Sequence, residues 1–334
     1  MRTRVHPRTV LVCLTLAVSA FVLLCLEITI GDFPLTVPEV AAGLLGAGDP
    51  AALLVINEIR LPRALVGLLI GVAFGIGGAL FQSLARNPLA SPDVIGVTEG
   101  ANTFAVAALL TSAGAGLGLG LPAMAVLGGC VVSAIVVALS WKRGTTGYRI
   151  VLVGIGMAAL CGSVTDYLLL KVGVFQAQQA VVWLIGSLSG RTWGHVHPLG
   201  LALLVLVPAA LLLGRWLAGL ELGEDAARGL GVPVQRARLA VMAVGVGLVS
   251  FATAAAGPVA FVALLAPQIA LRLVRSSGPP LLTSGLVGAV VVLLSDLLAR
   301  TVLPSGELPV GVITGVIGAP VLLWLLARMN RRGA

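Results

Sequence analysis

The sequence predicts an all-α, polytopic membrane protein of about ten spanning helices. Two observations carry that prediction. The chain has 334 residues, 58% of them hydrophobic and 10% charged, at a mean hydropathy of +1.09, whereas a soluble domain carries about 25% charged residues. Its apolar residues are also gathered into runs of about the 20 residues that a helix needs to cross a bilayer. A third observation agrees with these: 43 Gly and 18 Pro suit membrane helices, which pack through small residues and tolerate breaks.

Ten segments qualify, at roughly 10–30, 62–84, 94–112, 121–140, 149–170, 198–218, 238–256, 258–275, 281–299 and 308–327. The first could be a signal peptide, because Arg2, Arg4 and Arg8 precede "LVCLTLAVSA". Its apolar character continues well past "AVSA", which favours a retained helix. The piece "AVVWLIGSL" at 180–188 is too short to span and reads as a re-entrant or interfacial helix. Residues 1–334 are expected to form one membrane domain.

Charge sets the expected orientation. With both termini cytoplasmic, only Arg60, Arg63, Lys171, Arg191 and Arg300 of the 21 basic residues fall outside. The other sixteen lie inside, as the positive-inside rule requires. The net charge of +8 is thereby explained without nucleic acid. Cys13, Cys25, Cys130 and Cys161 all lie in apolar runs with no C-x-x-C spacing, so they read as small buried side chains.

The stretch "ELGEDAARGLGVPVQRAR", residues 221–238, interrupts this pattern on the cytoplasmic side. Leu222, Ala226 and Leu230 recur every four residues, as on one helix face. Glu224 and Asp225 sit where a helix dipole favours acids. Glu224 can pair with Arg228 at i,i+4. Gly231 suits the position past a helix end, and Pro233 prevents continuation. A helix of about nine residues, roughly 13 Å long, is expected. Nothing else on that side is large enough to cover its apolar face, so a partner protein is expected there.

The chain has no phosphate loop. A Walker motif needs Lys directly after Gly, and the two lysines, Lys142 and Lys171, follow Trp141 and Leu170. Any ATP must be hydrolysed by another chain.

Four blocks then resemble one family in order. They are "RLPRALVGLLIGVAFGIGGALFQSLARNPLASPDVIGV" (60–97), "LGEDAARGLGV" (222–232), "AGPVAFVALLAPQIALRL" (256–273) and "SDLLARTVLPSGELPVGVITGVIGAPVLLWLL" (295–326). Together they are similar to the FecCD-type permeases, membrane subunits of ABC importers for iron-siderophore, haem and cobalamin. The resemblance implies a type II ABC importer permease of ten spans. It implies a second permease subunit, identical or paralogous, two cytoplasmic ABC ATPase subunits and an extracytoplasmic solute-binding protein. ATP and Mg would be held by the ATPase, with no cofactor or metal bound by this chain and no catalytic residue in it. An iron-siderophore is the expected cargo.

The resemblance also assigns residues. Leu222, Gly223, Glu224, Ala226, Arg228, Leu230 and Gly231 would form the coupling helix. Arg60, Arg63 and Arg300 would receive acidic residues of the binding protein; their alternative is snorkelling to lipid headgroups. Thr145, Thr146, Gly147 and Tyr148 would form a cytoplasmic gate, or an ordinary polar turn. Asp166 would line the pathway, or be a buried hydrogen-bonded carboxylate. Asp296, four residues before Arg300, is expected in a helix-surface ion pair. Glu99 is a further acid near a span. The "HVH" at 195–197 reads as a surface loop more readily than as a metal site. The family's Pro-His is Pro267-Gln268 here, which removes a titrating side chain, and its following Arg is displaced to Arg272. The competing functions are an ion-gradient-driven secondary transporter, which calls for paired mid-membrane carboxylates, and a membrane enzyme, which calls for clustered acids, His or Cys.

Overall fold

A computed structural model describes residues 7–31, 33–110, 120–141, 147–275, 278–303 and 306–330. Every regular element among them is helical. In chain order they are α1 (Pro7–Thr29), α2 (Val37–Leu44), α3 (Pro50–Leu54), a π turn (Val55–Arg60) and α4 (Leu61–Ala85), then a single 3-10 turn (Pro92–Ile95). There follow α5 (Val97–Leu110), α6 (Leu121–Ser140), α7 (Gly147–Leu170), α8 (Val174–Ile185), α9 (Trp193–Glu221) and α10 (Glu224–Gly229). The chain ends with α11 (Val234–Ala256), α12 (Val262–Val274), α13 (Leu281–Thr301) and α14 (Val310–Asn330).

Each of the ten apolar segments is a helix, but they are not equal. Among the described residues, seven helices are long and apolar enough to cross a membrane. α12 has 13 residues, about 20 Å at helical rise, and reaches only part of the way. Residues 257–261 are not helical, and 258–261 of them open the expected eighth span. Pro258 has no amide hydrogen to donate, and Gly257 adopts φ 78°, a conformation open to glycine. α8 has 12 residues and is also too short to span, as expected; it begins at Val174 rather than at 180.

α4 is the axis of the bundle, buried along nearly all its length. Lipid offers no hydrophobic drive between helices, so close backbone packing must hold them together. Gly71 and Gly75 of α4 lie against the backbone of α13 at Ala289 and Ser284, with Gly288 of α13 against Gly71 in return. Gly78 lies against the carbonyl of Ala263 in α12. A methyl group at Gly75 or Gly78 would overlap backbone oxygen. By contrast α1 sits at the edge, with Leu14, Val18 and Phe21 more than half exposed, as a lipid-facing helix should be.

Arg8 Nε donates to the Leu273 carbonyl at 2.8 Å, so α1 begins where α12 ends. That end of the bundle, which also holds Arg86 and Glu221, is called proximal. The end where α1, α13 and the start of α4 meet is called distal.

Candidate functional site

At the proximal end, the 221–238 stretch forms a compact elbow. Its helix is shorter than expected, six residues from Glu224 to Gly229. Gly223 takes φ 106° and breaks the chain, leaving Leu222 as the end of α9. Beyond α10 the ending is a Schellman motif: Val232 N–H donates to Ala227 at 2.9 Å and Gly231 N–H to Arg228 at 3.0 Å, with Gly231 at φ 77°. Arg228 pairs with Glu224 and with Asp225, both at 3.1 Å.

The elbow is fastened from beneath. Ala227 is fully buried in the main core. Val232 closes over Gly219 of α9. Glu224 also accepts from Arg238, which is 3% exposed at the base of α11. That hydrogen bond, ahead of the nearby positive charges, holds the Glu224 carboxyl below its ordinary range. The outer surface carries an uncovered apolar patch beside the exposed Asp225 and Arg228. Leu222 and Leu230 are each 66% exposed, and Ala226 lies open between them.

At the distal end, the three arginines expected to face outward turn inward. Arg60 is buried and donates to the carbonyls of Ile28 and Thr29, both at 2.9 Å, and of Phe33 at 2.6 Å. It therefore caps the last turn of α1, where carbonyls lack helical partners. Arg63 forms a two-pronged pair with Asp296 at 2.9 and 3.0 Å and reaches Glu307 at 2.7 Å. Arg300 lies 3.5 Å from Asp296 and donates to the Glu27 carbonyl at 3.3 Å. Asp296 is fully buried, so its ion pair is not on a helix surface, and its closer partner is Arg63. Glu27, a buried acid not anticipated from sequence, lies beside this group. Glu307 is the open member, with its side chain 41% exposed.

Between the two ends lies a cavity of about 610 Å³. Phe74 of α4 forms part of its wall. The 91–93 turn and the start of α5 contribute Asp93, Glu99 and Asn102; Pro258 to Leu264 and the start of α14 close the other side. The unwound 257–261 segment is tolerated at this depth because it lines a cavity and is packed on protein, with Gly257 and Pro258 against Trp183 and Gly186. Ser187 N–H donates to Ala256 at 2.8 Å, and Gly311 N–H to Gly186 at 3.2 Å. Phe261 holds φ 65°, a costly conformation for an aromatic residue that clusters at functional sites.

The remaining candidates are dispersed. Thr145 and Thr146 lie outside the described residues; Gly147 opens α7 and Tyr148 is 78% exposed. Asp166 is exposed on α7 and is not part of the cavity lining. His195 and His197 fall within the first turns of α9, with His197 stacked on Trp193. Among the described residues no group of His, Cys, Asp or Glu could hold a metal ion. Gln268, in place of the family's His, donates to Gln82 at 2.6 Å, which itself donates to the Leu264 carbonyl at 2.9 Å. A neutral amide chain thus links α12 to α4.

Comparison with known proteins agrees with this architecture. The chain is 39% identical over 328 residues, 98% of its length and 99% of the relative's, to the ferric enterobactin transport system permease protein FepG of Escherichia coli. It is 35% identical over 325 residues, 97% of each chain, to the Fe(3+)-citrate import system permease protein YfmE of Bacillus subtilis. A solved inward-facing ABC transporter of the metal-chelate type superposes with a TM-score of 0.84 at 27% identity, covering 95% of this chain and 98% of that one. The FecCD transport family matches residues 18–328. The protein belongs to that family and is a multi-pass membrane permease subunit of an ABC importer.

Proposed function

We propose that the protein carries a ferric chelate, of the iron-siderophore class, inward across the cell membrane on ATP hydrolysed by a separate chain. The observation that carries this reading is the elbow at 222–232. It is anchored to α9 and α11 from below and presents the exposed Leu222 and Leu230 on the outside, the form expected of a surface that another protein grips. The proximal end is cytoplasmic, with both termini inside, in keeping with the distribution of basic residues. Two ABC ATPase subunits, holding ATP and Mg, dock there. A second permease subunit, identical or paralogous, completes the pathway. An extracytoplasmic binding protein delivers the chelate at the distal end.

Docking of that binding protein is supported in an altered form. Arg63 is engaged within the chain, but its partner Glu307 is half-exposed. An incoming carboxylate can exchange with Glu307 on the guanidinium, whose fork geometry accepts two carboxylates. Thr145, Thr146, Gly147 and Tyr148 are proposed as the inner gate, and Asp166 as part of the pathway wall.

The test is reconstitution in proteoliposomes with the cognate ATPase and binding protein. Loaded binding protein should stimulate hydrolysis and chelate uptake together, while the permease alone hydrolyses nothing. Hydrolysis by the pure permease, or uptake driven by an ion gradient without nucleotide, would refute the assignment.

A further inference from the structure

The 610 Å³ cavity has a one-sided chemistry. Among the described residues, its ionisable lining is Asp93 and Glu99, with no Lys, Arg or His. The side-chain donors on that wall, Ser91, Thr98 and Asn102, are already committed. Ser91 donates to Asp93 at 3.2 Å, and the Thr98 hydroxyl donates to the other oxygen of Asp93. The Asn102 side chain donates to Glu99. That leaves Asn102 Oδ1, an acceptor, without a partner in a residue only 6% exposed. Asp166 of α7 is close enough for its charge to act on Glu99 as well.

These side chains therefore present acceptors and negative charge on one flank, and apolar surface from Phe74, Leu184 and Phe261 on the other. A buried acceptor without a donor is a cost to the protein unless a ligand or water supplies one. An acceptor-lined pocket with formal negative charge repels anions and attracts donors. The apolar flank suits methylene chains.

We propose that this cavity selects ferric chelates of neutral or positive net charge, with Glu99 as the specificity-determining carboxylate. Hydroxamate-type chelates with methylene spacers and a free ammonium fit this chemistry; catecholate and citrate chelates of net negative charge do not. The proposal rests on the importer function proposed above and names the substrate class of its pathway.

The experiment uses one linear ferric trihydroxamate in three forms that share the same iron core. One has a free terminal ammonium, one is N-acetylated and neutral, and one is N-succinylated and anionic. Radio-iron uptake is measured in proteoliposomes holding the complete transporter, with the same saturating binding protein throughout. Any preference of the binding protein then cancels between permease variants. The wild-type rate should fall in the order ammonium, acetyl, succinyl. Glu99→Gln, which keeps the bond to Asn102, should reduce the ammonium-to-succinyl ratio by about three- to tenfold, the scale of one removed charge at a partly screened site. Glu99→Asp should retain the wild-type ratio, separating charge from fold. An unchanged ratio in Glu99→Gln at normal hydrolysis rates overturns the proposal. Absence of uptake of all three forms by a wild-type transporter whose hydrolysis its own loaded binding protein stimulates overturns this inference alone; absence of that stimulation as well overturns the ATP-driven function proposed above.

Discussion

Leu230→Asp is the sharpest probe of the elbow. Leu230 is 66% exposed and ends α10. Full burial of a leucine is worth about 1.5–3 kcal/mol. Covering the exposed two-thirds of this one in an ATPase groove is therefore worth about 1–2 kcal/mol. The aspartate forfeits that and adds the cost of desolvating a carboxylate, about 1–3 kcal/mol without a partner. The sum, roughly 3 kcal/mol, corresponds to about a hundredfold loss of affinity. The permease itself should tolerate the change. The position is solvated in the isolated chain, and a carboxylate at a helix end costs only about 0.3–1 kcal/mol. ATPase copurification and proteoliposome uptake should fall while the permease's melting temperature stays near wild type. Arg228→Ala is the control: its pairs are half-exposed, and exposed pairs contribute about 0.2–1 kcal/mol. Full uptake and normal copurification by Leu230→Asp would show that the elbow is a connector and no grip.

Two further outcomes follow from the buried charges. Asp296→Ala removes the two-pronged partner of the Arg63 guanidinium and leaves it only the half-exposed Glu307, at a site where the Arg63 and Asp296 side chains are 10% and 1% exposed. It should cost about 3–5 kcal/mol, with partial recovery in Arg63→Met combined with Asp296→Leu; equal thermal stability of Asp296→Ala and wild type would contradict the pairing. Glu224, with its carboxyl held below the ordinary value of 4.5 by the Arg238 hydrogen bond, contributes stability that is fully present above that value. The contribution is lost as pH falls through the lower folded value, so wild type and Glu224→Gln should converge in melting temperature on acidification below pH 4.5, and a constant difference would refute the link.

The bundle was largely legible in the sequence because the bilayer imposes length and apolarity on each helix separately. The local breaks were legible in part. Gly257-Pro258 signals an unwound start to α12, yet the surrounding run "AGPVAFVALLA" is apolar enough to pass for a span. The sequence pattern places Gly223 within the coupling segment without showing that its φ of 106° keeps it outside the helix, which starts at Glu224. Side-chain direction was the least legible part. Counting bases placed Arg60, Arg63 and Arg300 at one end, but a count cannot say whether a guanidinium points out or in. The signal was available in the acids. Glu27, Asp296 and Glu307 fall at the same end on that topology, and acids in spans need partners. The cavity was illegible because its wall joins residues near 93, 99, 258 and 311, far apart in sequence.

One helix physically joins the elbow to that cavity. α11 begins beside the Schellman turn, where Arg238 grips Glu224, and ends at Ala256, whose carbonyl binds Ser187 at 2.8 Å. Its 23 residues make a rod of about 35 Å. The next residues, Gly257 and Phe261, hold positive φ, and Pro258 to Phe261 line the cavity. Positions of this kind absorb the dihedral changes of a hinge. The alternative route, through α4, is stiff: its glycines lie on the backbones of α12 and α13, and sliding there meets backbone atoms at once. A displacement imposed on residues 222–232 thus has a rigid rod above it, and the unwound segment at the far end of that rod is the cavity wall itself.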